Sequence, residues 1–578
     1  MIRLLVFLRP YRVSVSLVLL FIFLQSLFNL YLPNLMSDIV DTGIAREDIV
    51  YIFEIGGFML LVTFAVVLFS ITASWLAART STGFGTALRA RVFAHVEEYA
   101  LHEFDHIGTA SLITRTTNDI TQVQQFVNMS LRMMVMAPMM AIGGIIMAVL
   151  TDARLSLVIV VVMPVLALAI YLVLGKGIAL FRAMQYKIDR LNRILRENLI
   201  GIRVIRSFNR MEYEKKRFDE ANFDLTDTAT RVNRIMASIQ PLMMLIINLS
   251  TLAILWFGAV RINDGAMMIG NLMAFLQYVM QILFAVMMVS MMFFMIPRAS
   301  ASAARINEVL DLAPMIRDAV LLQEPGDSVR AEGLEFQNVT FRYPGAEKPA
   351  LEGISFRAVP GQVTAIIGGT GAGKSTLVNL IPRLYDIENG AILLNGTDLR
   401  HFLQHSLRAK IGYVPQKAVL FTGTVADNIR YGREEATTDE VRHAAEVAQA
   451  TEFIDGMQDG FDTLITQGGT NVSGGQKQRL SIARAIVRRP EIYIFDDSFS
   501  ALDFTTDANL RAALKTEIRD AIMIIVAQRV STIMNADQII VLDEGRMIGV
   551  GLHHELMKTC DVYREIVASQ LSDEVSAS

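Results

Sequence analysis

Long runs of apolar residues without a charged side chain dominate the first half of the chain. Six of these runs are long enough to cross a bilayer, for which about 20 residues are needed. They are Val13–Ser37, Ile55–Ala78, Met133–Thr151, Leu155–Gly175, Ile235–Val260 and Gly265–Pro297. A buried helix of a soluble core could explain one such run, but it does not explain six in series. The pattern therefore predicts a membrane domain of six transmembrane helices within residues 1–310.

The segments between these runs differ in charge. Residues 38–54 carry five acidic side chains against the single Arg46, whereas residues 176–234 carry a dense set of Lys and Arg. Basic connectors stay on the cytosolic side of a membrane. We therefore expect a multi-pass protein of the cell (inner, or cytoplasmic) membrane, with both termini and the long connectors in the cytosol.

Two connectors, about 79–132 and 176–234, are long but have a helical pattern rather than a loop-like one. Apolar side chains recur every three or four residues, for example at Ile188, Leu191 and Ile194, which is the period of an amphipathic helix. We expect these connectors to be cytosolic extensions of the membrane helices.

The second half of the chain has a different composition, with few long uncharged stretches. A linker with Pro314 and Pro325 is predicted at 311–330, a second domain at 331–572, and a small polar tail, expected to be disordered, at 573–578. The overall net charge of −4 gives no reason to expect nucleic-acid binding, and the single cysteine, Cys560, excludes an intrachain disulfide.

The first functional motif of this second domain is a phosphate-binding loop. Residues 368–375 read Gly-Gly-Thr-Gly-Ala-Gly-Lys-Ser, between an apolar strand predicted at Val363–Ile367 and a helix predicted at Lys374–Leu384. Glycines let backbone N–H groups surround a phosphate, the lysine reaches the β- and γ-phosphates, and the serine hydroxyl binds Mg²⁺. The chain is therefore predicted to bind ATP and Mg²⁺ in an α/β P-loop domain.

Further motifs resemble those of ATP-binding-cassette (ABC) proteins. Residues 471–479, Asn-Val-Ser-Gly-Gly-Gln-Lys-Gln-Arg, resemble the family signature, and the strand Ile492–Asp496 that follows resembles its Walker B strand. Tyr343, Gln416 and the segment 500–503 stand at the positions that the family order implies. The whole chain resembles an exporter-type half-transporter, with six membrane helices followed by one cassette.

This resemblance implies a set of site residues. Tyr343 would stack on adenine, Ser375, Gln416 and Asp496 would bind Mg²⁺, and two cassettes would close head to tail around ATP. The signature of one subunit would then contact the nucleotide of the other. The implied nucleotide-binding residues are Tyr343, Gly368, Gly369, Thr370, Gly371, Ala372, Gly373, Lys374, Ser375, Thr376, Ser473, Gly474, Gly475 and Gln476.

The chain departs from the family at the two positions that support hydrolysis. Asp497 follows the Walker B aspartate where the family has glutamate, and Gln528 stands where the family has histidine. Aspartate is one methylene shorter, and a displacement of about 1 Å can cost roughly a hundredfold in rate. Glutamine cannot carry the positive charge of a protonated histidine. Asp497 and Gln528 are thus catalytic positions in degenerate form, in a site suited to holding ATP.

A degenerate site of this kind resembles the nucleotide site of one subunit in the heterodimeric bacterial ABC exporters. The resemblance implies a partner half-transporter with the usual glutamate and histidine, whose site the signature of this chain would complete. The segment Glu197–Asn209 resembles the segment of ABC exporters that ends in a coupling helix docking into a cassette, although a basic amphipathic helix on the membrane surface is an alternative.

The six spans contain no Asp, Glu, Lys or Arg, which would mark an ion path, and the last span is rich in Met and Phe. Met side chains adapt to varied apolar surfaces. We therefore expect hydrophobic or amphiphilic substrates, including several drugs, to be exported from the cytoplasm or the inner leaflet. A lipid or lipopeptide flippase and an ATP-gated regulator or channel are the alternatives, while six spans exclude a soluble ABC ATPase.

Overall fold

The structure is a computed structural model that describes residues 1–318 and 333–577. These residues form two compact units. Unit 1 contains Met1–Glu97 and Ala110–Leu312, and unit 2 contains Glu98–Thr109 and the described residues from Ala313 onwards. The predicted linker at 311–330 falls mostly on 319–332, outside the described residues.

Unit 1 is built from long helices. After a 3₁₀ segment at Ile2–Tyr11, its principal helices are α1 (Arg12–Asp38), α2 (Ile49–Glu97), α5 (Ile120–Thr151), α6 (Leu157–Ile200), α8 (Met211–Asn263) and α9 (Ile269–Asp311). The short helices are α4 (Thr109–Thr114) and α7 (Ile202–Ser207), with π-helical segments at Ile39–Ile44 and Arg115–Asp119. Helix α6 packs mainly on α8, and α5 packs mainly on α9.

Five helical segments among the described residues are long and apolar enough to cross a membrane. The fourth predicted span corresponds to a shorter apolar stretch, Leu157–Leu172, at the start of α6. The predicted helical extensions are present, because α2 has 49 residues and α8 has 53. At 1.5 Å per residue such helices are about 75 Å long, more than twice the thickness of the hydrocarbon core of a bilayer.

Unit 2 begins with helix α3 (Leu101–Ile107), which belongs to the predicted connector 79–132. The carboxylate of Glu103 is buried and accepts hydrogen bonds from the backbone N–H groups of Ala100, at 2.8 Å, and Met315, at 3.1 Å. The connector is thus fixed to the segment that enters the second domain.

Two main sheets and a helical layer form the rest of unit 2. An antiparallel sheet has the order β2–β1–β4–β5, formed by Leu351–Ala358, Leu334–Phe341, Asn389–Leu394 and Thr397–Asp398. A mostly parallel sheet has the order β12–β11–β3–β10–β9–β6, formed by Arg546–Gly551, Gln538–Asp543, Val363–Gly368, Ile522–Val526, Ile492–Asp496 and Ile411–Val414. Strands β9 and β10 are buried at every residue, as expected for parallel strands covered on both faces.

The helices of unit 2 flank these sheets. They are α10 (Lys374–Leu380), α11 (Gln404–Ala409), α12 (Val425–Arg430), α13 (Thr438–Val447), α14 (Thr451–Asp455), α15 (Gly474–Arg488), α16 (Phe504–Glu517), α17 (Val530–Ile533), α18 (His553–Thr559) and α19 (Asp561–Ala577). Strands β7 (Gly423–Thr424) and β8 (Leu464–Ile465) pair as a two-stranded antiparallel sheet.

One sequence prediction placed a helix boundary differently from the structure. Helix α10 ends at Leu380 rather than Leu384; Pro382 follows, and the backbone of Arg383 turns into the left-handed region with φ 50°. Ile381 still has helical backbone angles, φ −66° and ψ −48°, but Pro382 has no backbone N–H and so cannot donate the next hydrogen bond of the helix. Helix α19 runs to Ala577 and so enters the segment 573–578 that we expected to be disordered.

Candidate nucleotide site

The site lies at one edge of the parallel sheet. Strand β3 ends at Gly368, β9 ends at Asp496, and β10 ends at Val526, which pairs with Asp496 on one side and Ile366 on the other. The carboxyl ends of parallel strands meet at the same edge, where such sheets bind ligands. Three loops far apart in sequence are therefore brought together.

The phosphate-binding loop is shaped by its glycines. Gly371 and Gly373 have φ angles of +85° and +95°, a region that favours glycine. A Cβ on Gly369 or Gly371 would meet no heavy atom within 4 Å, whereas one on Gly368 would come 2.2 Å from the carbonyl oxygen of Leu542. The loop is thus packed at its base and open at its rim, which is the shape a phosphate requires.

The side chain of Lys374 folds back onto the phosphate-binding loop. Its ammonium group donates hydrogen bonds to the carbonyl oxygens of Gly368, at 2.8 Å, and Gly369, at 2.7 Å. Burial lowers the pKa of Lys374, while the nearby carboxylates of Asp497 and Asp496 act in the opposite direction. The two hydrogen bonds place the ammonium group at the phosphate-binding loop, where it can attract phosphate.

Ser375 and Asp496 form a pair of oxygen ligands. The Ser375 hydroxyl donates to Asp496 Oδ1 at 3.1 Å, and Asp496 is only 3% exposed. Burial raises the pKa of Asp496, with Asp497 adding to the effect and the hydrogen bonds from Ser375 and Tyr413 opposing it. A divalent cation would stabilise this carboxylate, and Mg²⁺ prefers one or two carboxylates together with phosphate oxygens. Among the described residues there is no cluster of three His, Cys, Asp or Glu side chains for a metal ion.

Asp497 is held by the side chains of two glutamines. Gln528 Nε2 donates to Asp497 Oδ2 at 2.8 Å, and Gln416 Nε2 donates to the same oxygen at 3.2 Å. The backbone of Asp497 is left-handed, with φ 47°, and its N–H donates to Val526 O at 2.9 Å. Both degenerate positions are therefore in direct contact, and one carboxylate oxygen is already engaged by two amides.

Tyr343 lines the same pocket as these residues. Its ring meets Phe341 and Tyr385 edge to face, and its hydroxyl lies 3.0 Å from Thr376 Oγ1. The pocket has a volume of about 500 Å³. The predicted residues that line it are Tyr343, Thr370, Gly371, Gly373, Lys374, Ser375, Thr376, Gln416, Asp496, Asp497 and Gln528.

The signature residues lie elsewhere, at the beginning of helix α15. Ser473 caps the helix, since its hydroxyl accepts from the N–H of Gln476 while Gln476 Oε1 accepts from the N–H of Ser473. Ser473 and Gly474 are exposed, and a Cβ on Gly474 would meet no heavy atom within 4 Å. A helix of 15 residues that begins at an open glycine offers free N–H groups to an anion. None of the signature residues lines the 500 Å³ pocket.

Sequence reasoning missed Glu544 and Gly545, which also line the pocket. They form the turn between β11 and β12, and both have positive φ angles, 44° and 78°. The glycine between two apolar runs is a turn signal, but only the pairing of β11 with β3 places that turn beside the nucleotide loop.

Comparison with known proteins agrees with both units. Residues 15–286 match the ABC transporter transmembrane region, and residues 351–500 match the ABC transporter domain. An uncharacterized ABC transporter ATP-binding protein of Mycobacterium tuberculosis is 44% identical over 565 residues, which cover 97% of each chain.

Two similar proteins have more specific names. An ATP-dependent lipid A-core flippase of Hahella chejuensis is 33% identical over 508 residues, covering 87% of this chain and 86% of the relative. A putative multidrug export ATP-binding/permease protein of Bacillus subtilis is 30% identical over 579 residues, covering 98% of each.

A solved structure of a bacterial Atm1-family ABC exporter with ATP bound superposes with a TM-score of 0.80 at 26% identity, covering 97% of this chain and 98% of the other. The order of the two matched regions agrees with the phosphate-binding loop and with the structural similarity to this exporter. The chain belongs to the ABC transporter family, as an exporter-type half-transporter in which a multi-pass membrane region precedes one ATPase domain.

Proposed function

We propose that this chain is the subunit of a heterodimeric exporter that holds ATP at its own site and completes the hydrolytic site of a second half-transporter. The transported compounds are hydrophobic or amphiphilic, and the cassette lies in the cytosol below the inner membrane. The observation that carries the proposal is the contact of Gln528 and Gln416 with one oxygen of Asp497.

The contact supports a site that binds nucleotide without efficient hydrolysis. A general base must reach the attacking water within about 3 Å. Here the carboxylate is carried on a short side chain, and a water must compete with two N–H donors for Oδ2. The binding elements, Lys374, Ser375 and Asp496, need no such rearrangement to engage phosphate and Mg²⁺.

The exposed signature supports the partner role. Ser473 and Gly474 face solvent in the single chain, so they are available to the nucleotide of another cassette. Helix α7 (Ile202–Ser207) has no buried residue, and the adjoining Phe208 and Ile200 are 73% and 80% exposed. Such an apolar surface on the predicted coupling segment suits docking into a partner cassette better than exposure to water.

The test measures ATP hydrolysis by the chain alone and by the heterodimer with its partner half-transporter. The chain alone should turn over far more slowly than a typical enzyme, for which about 10 s⁻¹ is the median. In the heterodimer, Ser473→Ala should abolish most hydrolysis, Asp497→Asn should change it by less than about twofold, and Thr470→Ala on the neighbouring turn serves as the matched control. Full activity of the lone chain, or equal losses from Ser473→Ala and Asp497→Asn, would contradict the assignment of the two sites.

A flippase for lipids is the second candidate, since the relative from Hahella chejuensis is named as one and uncharged spans suit acyl chains. Proteoliposomes distinguish the two. Fluorescent phospholipid that changes leaflet with ATP, without accumulation of a hydrophobic dye, would favour the flippase, whereas dye accumulation without lipid movement would favour drug export.

A further inference from the structure

A glutamine of the last helix contacts the loop that carries Gln528. Gln570 Nε2 donates to the carbonyl oxygen of Gln528 at 2.7 Å, and Gln570 Oε1 accepts from the N–H of Val530 at 2.8 Å. The amide therefore bridges two backbone groups that flank Arg529, although it lies 42 residues beyond Gln528.

The two bonds satisfy groups that the loop itself leaves open. Val530 begins the four-residue helix α17 and is buried, and the first N–H groups of a helix have no partner within it. Gln570 thus caps α17 from outside and also fixes the carbonyl of Gln528. One side chain sets the direction of the backbone from which the Gln528 side chain extends to Asp497.

Helix α19 is anchored firmly enough to hold this contact. Tyr563 and Val567 are 0% and 5% exposed, and with Gln570 they are spaced by four and three residues, so they share one helix face. The Tyr563 hydroxyl lies 2.8 Å from His553 Nδ1. The face that bears Gln570 is therefore packed on the domain.

A second side chain holds the other end of the loop. Arg511 of α16 donates to the carbonyl oxygens of Ser531, at 3.3 Å, and Thr532, at 3.2 Å, and is itself paired with Asp507 at 3.0 Å. The loop is therefore held from outside at two places, by Gln570 at Gln528 and Val530 and by Arg511 at Ser531 and Thr532.

We propose that Gln570 is a positioning residue for the nucleotide site, which acts through Gln528 and makes ATP retention depend on the last helix. The inference deepens the proposed function and rests on it in one respect, namely that Gln528 faces bound nucleotide from the wall of the pocket. It needs no hydrolysis and no partner.

The experiment measures the release rate of a fluorescent ATP analogue with Mg²⁺ from the full-length chain in lipid nanodiscs. Gln570→Ala and Gln528→Ala should each accelerate release about threefold to fivefold, the effect of losing one hydrogen bond. The double variant should release no faster than the faster single variant, because both changes remove the same wall of the pocket. Glu565→Ala, on the exposed side of the same helix, is the matched control and should leave the rate unchanged.

Gln570→Asn provides the conservative variant. It keeps the amide but is one methylene too short to reach both backbone groups, so it should behave like Gln570→Ala. Hydrogen exchange should increase in residues 528–533 of both variants and remain unchanged in β3, which shows that the domain stays folded.

Release rates that multiply in the double variant would overturn the proposal, as would a Gln570→Ala rate equal to that of Glu565→Ala or a Gln528→Ala variant without effect. Failure of the proposed division of labour between two subunits would instead be detected as rapid hydrolysis by the lone chain, with these release rates unaffected.

Discussion

Replacing Asp497 by Glu and Gln528 by His should restore hydrolysis at this site, and the structure indicates how much each change contributes. Glutamate extends the carboxylate by about one bond, which recovers a shortfall of roughly 1 Å and up to about a hundredfold in rate. The 2.8 Å hydrogen bond from the exposed Gln528 to Asp497 is worth about 1 kcal/mol, or about fivefold in the availability of the carboxylate.

The two contributions are coupled because both act on the same oxygen. Asp497→Glu alone still faces the donors Gln528 and Gln416, so we expect a gain of only about tenfold. Gln528→His alone leaves the short side chain in place and should give about fivefold or less. The double variant should reach about five hundredfold, the product of the full reach and the released donor, which exceeds the product of the two single gains.

The assay must exclude turnover at the other site. We would measure phosphate release from the heterodimer in nanodiscs after replacing the catalytic glutamate of the partner by glutamine. Asp520→Glu, in an exposed loop, is the matched control for lengthening an aspartate. If the double variant shows no gain in this background, the tether on Asp497 is not the limiting defect, and the signature supplied by the partner becomes the first suspect.

Two further predictions concern binding and stability. Mg²⁺-ATP at 100 times its dissociation constant should stabilise the protein by about 2.7 kcal/mol and so raise its thermal midpoint. Lys374→Met or Asp496→Asn should abolish most of this rise, whereas the control Lys515→Met should not. An undiminished rise in the Lys374 and Asp496 variants would contradict the binding site. The hydrogen bond from the backbone N–H of Thr424 lowers the pKa of Asp427, so the ionised carboxylate stabilises the fold above its ordinary pKa near 3.8 and loses that effect as pH falls. Asp427→Asn should therefore lower the thermal midpoint at pH 7 by the equivalent of at most about 1 kcal/mol, since the group is exposed. Thermal scans should show a progressively smaller decrease towards pH 3.

The sequence predicted the architecture well because both units have strong local signals. Twenty-residue apolar runs and a glycine-rich loop between a strand and a helix need little tertiary information to be recognised. Helix boundaries were predicted less accurately. The apolar pattern continues past Leu380, but helix α10 ends there because Pro382 cannot donate the next helical hydrogen bond.

The contact between Asp497 and Gln528 could in principle have been anticipated. They are 31 residues apart, but each lies within two residues of the end of a buried strand, and neighbouring parallel strands end at the same edge. The order of the strands, with β9 beside β10, is the missing information. No such route leads to Gln570, since a glutamine on an amphipathic helix carries no sign of what it contacts.

The contact changes how the two substitutions are understood. Considered separately, a short carboxylate and an uncharged amide are two independent weakenings of catalysis. In the structure the amide of Gln528 satisfies the carboxylate of Asp497, and Gln416 joins it, so the two residues stabilise one another in a conformation that competes with water activation. A single reversal would break this arrangement but rebuild the catalytic one only in part, which is why its expected gain is small. Under the proposed function, ATP bound at this pair would act mainly as a cross-link between two cassettes rather than as a fuel consumed at this site.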